Sequence, residues 1–322
     1  MRTRCRPALV TVCTVVLLAP VPGAAQTGNG AQGDVPRTAW GDPDLQGTWS
    51  YASLTPLERP AELAEREFFT PEEAADRNEY WNVTRFETRP PPGSVGAYNA
   101  AWLDFGSVSP DRRTSLIVDP ADGRLPLRAD AERRLAEQRE YQRLHPADSW
   151  RDLTNWDRCI TYHGVPPVST GYNNTYQILQ APGYVFIRVE AIHDVRVIPL
   201  DGRPPLDDAI RQWNGSSRGR WEGDTLVVET ANFSPETQHR FPSSPNTRAV
   251  ERFTRVAADT IEHQFTIEDA TVYTRPWTAV RLMPRLPGYV IYEYACHEGN
   301  YALPNMLSIQ RALESQAPAT PR

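Results

Sequence analysis

The sequence predicts a mainly β protein, an antiparallel meander that closes into a barrel or packs as a sandwich. It is lipocalin-like in character, with a few short helices in an irregular N-terminal half. Three observations predict this. From Tyr176 onward, short runs of β-branched and aromatic residues are punctuated by turn signals such as Pro182-Gly183, Asp201-Gly202 and Gly223-Asp224. These runs amount to about eight strands with short connections and little helix between them, the spacing of consecutive antiparallel pairs. The 322-residue chain also carries 30 prolines, which work against long helices.

Taken in order, the chain opens with Arg2, Arg4 and Arg6, an apolar run from Ala8 to Val21, and the small residues Gly23-Ala24-Ala25. Residues 1–25 therefore read as a secretory signal peptide cut near Gln26, and Cys13 is expected to leave with it. The apolar run is short for a membrane span and none follows it. Residues 26–37 are Gly-rich and polar and read as a disordered lead-in. Residues 38–322 are expected to form a single β-rich domain, with 38–150 an irregular, partly helical wrap and 151–312 the β-strand core.

Within the wrap, Gly47-Thr48-Trp49-Ser50 and Ser115 to Asp119 are strand candidates. Thr70-Pro71-Glu72-Glu73 is a capping box with proline at the first helical position, predicting a helix to about Trp81. Arg89-Pro90-Pro91-Pro92-Gly93 then stops regular structure. A second helix is predicted from near Asp130 to about Leu144, ended by Pro146.

The predicted core strands are Tyr176 to Gln180, Tyr184 to Glu190, Val195 to Leu200, Arg218 to Trp221 and Thr225 to Thr230. Arg248 to Val256, Thr260 to Glu268, Thr271 to Thr274 and Tyr289 to Ala295 continue the series. Alternation places His263 on one face with Ile261, Phe265 and Ile267. If the last strand extends far enough, it separates His297 from Cys296 and Glu298.

Composition excludes several chemistries. All 34 basic side chains are arginine, so a Schiff-base or phosphate-loop lysine is ruled out. Without the three leader arginines, 31 arginines face 40 acidic side chains, a net charge of −9. That balance argues against nucleic acid or an anionic membrane surface as a partner and leaves a small-molecule substrate or ligand.

After the leader only Cys159 and Cys296 remain, each near a histidine, in Cys159-Ile-Thr-Tyr-His163 and Cys296-His297-Glu298. Export to an oxidising compartment predicts a disulfide between them. Closing a loop of more than 130 residues is worth about 4–5 kcal/mol on the loop-entropy model. The bond would bring His163, His297 and Glu298 to one place.

Four blocks are long enough to be specific. They are Glu190-Ala-Ile-His193-Asp-Val-Arg196-Val-Ile-Pro-Leu-Asp-Gly-Arg203, Ser217-Arg-Gly-Arg-Trp221-Glu-Gly-Asp224-Thr-Leu-Val-Val-Glu-Thr230, Thr274-Arg275-Pro276-Trp277, and Tyr294-Ala-Cys296-His297-Glu298-Gly299-Asn300-Tyr301. They resemble the recurring blocks of a large family of exported, mostly uncharacterised bacterial proteins, over roughly residues 40–315. The resemblance implies a secreted or periplasmic setting and carries no activity with it.

The site expected from the residues is acid–base. His193 and His297 are candidates for proton transfer, and Glu190 and Glu298 for orienting or assisting them. Arg196, Arg218, Arg220 and Arg275 are candidates to grip an anionic group, with Trp221, His163 and His263 lining the site.

His297-Glu298 fails as a zincin start, because Tyr301 stands where a second histidine is needed. Gly215-Ser216-Ser217-Arg218-Gly219 fails as a nucleophile elbow, because a turn precedes it and a β-run follows. No cofactor is expected. A divalent metal such as zinc on Glu190, His193, His263 and His297 is the alternative, and zinc on the paired cysteine and histidine positions a weaker one.

The expectation is thus an exported hydrolase or lyase acting on a small carbohydrate or aromatic compound. A lipocalin-like carrier of an apolar or aromatic ligand and a structural envelope protein are the alternatives.

Overall fold

The computed structural model describes residues 35–87, 103–162 and 164–316, with the His193 side chain also outside the description. The predicted signal peptide, most of the lead-in, the Arg89–Gly93 break and His163 lie outside the described residues. The strands of the described residues form two antiparallel sheets. The smaller consists of β1 (Gly47–Ser50), β3 (Thr175–Ala181), β4 (Tyr184–Val189) and β5 (Val195–Pro199), ordered β1-β3-β4-β5. The larger holds β2 (Ile117–Asp119), β6 (Ser216–Glu222), β7 (Thr225–Ala231), β8 (Arg248–Ala257), β9 (Thr260–Glu268) and β10 (Trp277–Pro284), ordered β2-β10-β9-β8-β7-β6.

Alternation decides which face of each strand is buried. β9 alternates without a break, with Ile261, His263, Phe265 and Ile267 buried and the residues between them half-exposed. The outward face of the larger sheet is polar. There Arg220 pairs with Glu222 and Glu229, Arg248 with Glu229 and Glu268, and Arg252 with Glu222, lacing four strands together. Tight turns close the hairpins. Glu222 pairs with Thr225 across Gly223-Asp224, and Gly223 takes the left-handed φ of 61° that the turn requires.

Trp49, Tyr176, Ile178 and Ile187 from the smaller sheet pack on Leu226, Val228, Phe253, Ile261 and Met283 from the larger. The edges also approach, with Trp49 and Arg285 forming a bridge and Leu286 N–H donating to the Thr48 carbonyl at 2.8 Å. At the β5–β6 side, Gly219 makes the approach possible, because a β-carbon there would sit 2.7 Å from Ile198 Cγ2 and Leu200 Cδ2. Among the described residues no continuous ladder joins the sheets, so the architecture is sandwich-like and the closed barrel is not formed.

The wrap packs a second apolar cluster against the far end of the larger sheet, where Leu116, Ile117, Phe241 and Tyr273 surround Phe265 and Trp277. Helix α1 (Pro71–Glu79) starts at the capping box. Thr70 Oγ1 accepts from Glu73 N–H, and Glu73 accepts from Thr70 N–H. A π-turn at Tyr80–Thr84 carries the chain into a short α2 (Arg85–Glu87). Helix α3 (Ala129–Leu144) buries only Ala131, in keeping with its thin apolar content.

Three expectations for the C-terminal part are corrected. Thr271–Thr274 is a turn, and the strand that pairs with β9 is β10, eight residues whose inward face carries Arg281 between Ala279 and Met283. Tyr289–Ala295 is not a strand. After Pro287-Gly288 it runs across the end of the smaller sheet, where Arg188 Nη2 donates to the Tyr292 carbonyl at 3.4 Å. The opposition of Cys296 and His297 expected for a strand therefore does not apply. A further helix, α4 (Ala302–Gln316), follows the segment, and its Arg311 donates to the Ala147 and Asp148 carbonyls.

Candidate functional site

Two groups of side chains stand apart from ordinary packing. The first is a polar belt across the inside of the sandwich. At one level, β8 places Glu251 between Ala249 and Phe253, β9 places His263 between Ile261 and Phe265, and β10 places Arg281 between Ala279 and Met283. The belt separates the two apolar clusters of the larger sheet. From β5 of the opposite sheet, Arg196 completes it, its Nη1 3.2 Å from Glu251 Oε1 and its Nη2 2.5 Å from Oε2. Thr230 and Ser217 accept further donors of Arg196.

Hydrogen bonding fixes the form of His263. Arg281 can only donate, and its Nε and Nη2 lie 3.1 and 2.9 Å from His263 Nδ1, so that nitrogen is an acceptor. The proton is on Nε2, which donates to Glu251 Oε1 at 3.1 Å. Burial, with the adjacent Arg281 charge, pushes His263 down to about 4, so the ring is neutral at ordinary pH. Although burial opposes it, Arg196 and His263 hold the Glu251 carboxyl down at about 2. Arg281 has no carboxylate in contact. Burial lowers its pKa, its Nη1 donates to the Pro167 carbonyl at 2.8 Å, and the Tyr51 ring lies 5.1 Å from its guanidinium.

The second group lies at the end of β4. β4 ends in the turn Glu190-Ala191-Ile192-His193, and Ile192 adopts φ 60°, ψ 9°. A β-branched side chain is strained in that region, and such strain gathers at functional turns. Glu190 is 6% exposed. Its Oε1 accepts the Tyr289 hydroxyl at 2.6 Å, while its buried Oε2 has no hydrogen-bond partner among the described residues. Burial and the neighbouring carboxylate raise the Tyr289 hydroxyl well above its ordinary value, so it remains a donor.

The segment carrying Tyr289 is anchored at its far end by the disulfide Cys159–Cys296, with Cα atoms 5.8 Å apart. Around that bond, Trp156 Nε1 donates to the Tyr294 hydroxyl at 3.3 Å. The Trp156 and Tyr162 rings lie 5.0 Å apart, and Asn300 Nδ2 is 3.5 Å from Cys159 Sγ.

Beside the aromatic group opens a cleft of about 1080 Å³, walled by α3 and by segments 151–162 and 235–243. A smaller cavity of about 380 Å³ lies on the β1–β10 side, lined by Ser50, Asp104 and Arg281, and burial raises the Asp104 carboxyl there.

The residues expected to form one site are thus dispersed. Glu190 lies in the strained turn with His193, whose side chain is outside the description. His297 and Glu298 are exposed on the segment beyond Tyr289, and His297 offers only its carbonyl, to Asn300 N–H. Arg196 and His263 are sealed in the belt and committed to Glu251. Arg218 is tied to the Pro204 carbonyl and Ser216, and Arg220 to Glu222 and Glu229. Arg275 pairs with Asp119 at 2.5 Å, and Trp221 packs against the core.

No group of three His, Cys, Asp or Glu side chains able to hold a metal ion occurs among the described residues. Glu251, Arg281 and Tyr289 were not among the sequence candidates. The available signal was an ionisable residue at an inward position of an alternating strand, as in Ala249-Val-Glu251-Arg-Phe253. No model of a known protein family matches the chain, and no curated protein matches it.

Proposed function

We propose that the chain is an exported enzyme of the hydrolase or lyase class, acting on a small aromatic or carbohydrate molecule, with Glu190 as its general base or acid. The observation that carries this is the state of the Glu190 carboxylate. It is buried, one oxygen is fixed by the Tyr289 hydroxyl, and the other is left without a partner next to a strained turn. A buried acceptor left unsatisfied costs stability, about 1–3 kcal/mol, and such a cost is retained where a ligand or a reacting proton satisfies the group. Oε2 takes the proton, from water in a hydrolysis or from a substrate carbon in an elimination. His193 in the same turn is its proposed partner in returning it.

Support for the alternative of a binding protein comes from the cleft of about 1080 Å³ rather than from a lipocalin-like interior, since large side chains and the belt fill the space between the sheets. Turnover separates the two readings. Purified protein is assayed against phenolic esters and aryl glycosides, alongside Glu190→Gln. The enzyme reading expects turnover that falls about 10²–10⁴-fold in the variant, with thermal stability kept. Ligand binding without any turnover would favour the carrier.

A further inference from the structure

The cleft beside the disulfide is electrostatically unlike the rest of the chain. Arg139, Arg151, Arg158 and Arg240 line it, and among the described residues none of their guanidinium groups has a hydrogen bond or an ion pair. Elsewhere arginine is routinely paired, as Arg220, Arg248 and Arg252 are on the larger sheet. Glu236 is the one carboxylate on the lining, so four positive groups face one negative group in a mature chain of net charge −9. Unpaired charge concentrated in a concavity attracts a counter-ion from solution.

The same wall is aromatic. The Arg240 guanidinium lies 4.5 Å from the Tyr162 ring centre and that of Arg158 4.7 Å from Trp150. Tyr162, Trp156 and Tyr172 cluster, with ring centres 5.0 Å apart for Trp156–Tyr162, 5.8 Å for Tyr162–Tyr172 and 6.4 Å for Trp156–Tyr172. A guanidinium laid on a ring has its face occupied and its in-plane N–H groups free, the geometry that grips a carboxylate edge-on. Trp156 remains 36% exposed, offering a planar surface beside those donors.

We propose that this cleft binds a small organic anion built on an aromatic ring and carrying more than one carboxylate. Arginine reads the charge, and the Trp156–Tyr162 wall stacks on the ring. A volume of about 1080 Å³ admits a small molecule, and the overall acidity of the chain disfavours a nucleic acid. Glu190 is not on the lining of the cleft, so binding here stands apart from the Glu190 reading and only the ligand's fate rests on it.

The test is calorimetric titration of the mature protein with benzene-1,3,5-tricarboxylate, cyclohexane-1,3,5-tricarboxylate and inorganic phosphate. The aromatic tricarboxylate should bind, more weakly as salt rises, and more tightly than the saturated ring or phosphate. The double variant Arg158→Gln/Arg240→Gln should bind it about tenfold more weakly with an unchanged melting temperature. Trp156→Leu should remove the preference for the aromatic ring. Absence of binding at millimolar concentration, phosphate binding as tight as that of the tricarboxylate, or full affinity in the arginine variant would each overturn the proposal. Glu190→Gln should keep the binding. Binding without turnover in the wild type sinks the enzyme reading alone, and turnover without binding of aromatic acids sinks this one alone.

Discussion

Arg196 on β5 and Glu251 on β8 meet across the two sheets, Nη1 to Oε1 at 3.2 Å, in a belt where Glu251 is fully buried and Arg196 is 4% exposed. Two of the four ionisable belt residues are arginines, one is a carboxylate and one is a neutral histidine. Glu251 is the single counter-charge in contact with the belt, since Arg281 touches only His263, the Pro167 carbonyl and aromatic rings.

Glu251→Ala should therefore cost more than an apolar truncation of the same size, on the order of 3–5 kcal/mol, because the buried Arg196 guanidinium loses the carboxylate it pairs with and His263 Nε2 loses its acceptor. Urea denaturation measures it. Arg196→Met/Glu251→Leu, which removes both charges of the pair, should cost less than Glu251→Ala alone. A double variant less stable than the single one would contradict the belt as described.

Acid should destabilise the fold in two stages. His263 sits at about 4 when folded against 6.5 ordinarily, and His239 is displaced downward in the same way. Between those values the unfolded chain binds protons that the folded chain does not. Stability is therefore full above about pH 6.5 and is lost as pH falls toward 4. Glu251, held at about 2 against 4.5, extends the loss to lower pH. Urea midpoints should fall by an amount equivalent to a few kcal/mol between pH 7 and 4.5, and His263→Gln should flatten part of that slope. Midpoints constant over the interval would refute the neutral His263 assigned here.

Much of the fold was legible in the sequence because period-two alternation and turn dipeptides are local signals. The hairpins from Tyr176 to Glu268 and the Thr70 capping box follow from them directly. Arg281 hid β10, since an inward arginine between Ala279 and Met283 breaks the hydrophobic period that marks a strand. Conversely, Tyr289–Ala295 has a strand-like composition but pairs with no strand among the described residues. The belt and the Glu190–Tyr289 contact were illegible for a different reason. Each depends on residues 12 to 99 positions apart, brought together by strand register for His263 and Glu251, by the packing of the two sheets for Arg196, and by the path of the chain after Gly288 for Tyr289.

The disulfide anchors the segment whose Tyr289 holds Glu190. Cys159→Ala/Cys296→Ala should lower stability by about 2–5 kcal/mol. Hydrogen exchange should show faster amide exchange over residues 289–300, while β8 and β9 stay protected. Equal protection of that segment with and without the bond would mean that the disulfide does not position Tyr289.

Glu190, and not the exposed Glu298, is the group proposed to move the proton. Once a substrate is turned over, kcat/KM of Glu190→Gln and Glu298→Gln measured side by side tests it most directly. A loss of at least about 100-fold is expected for Glu190→Gln, with wild-type activity for Glu298→Gln. Full activity in Glu190→Gln, or a loss confined to Glu298→Gln, would contradict it.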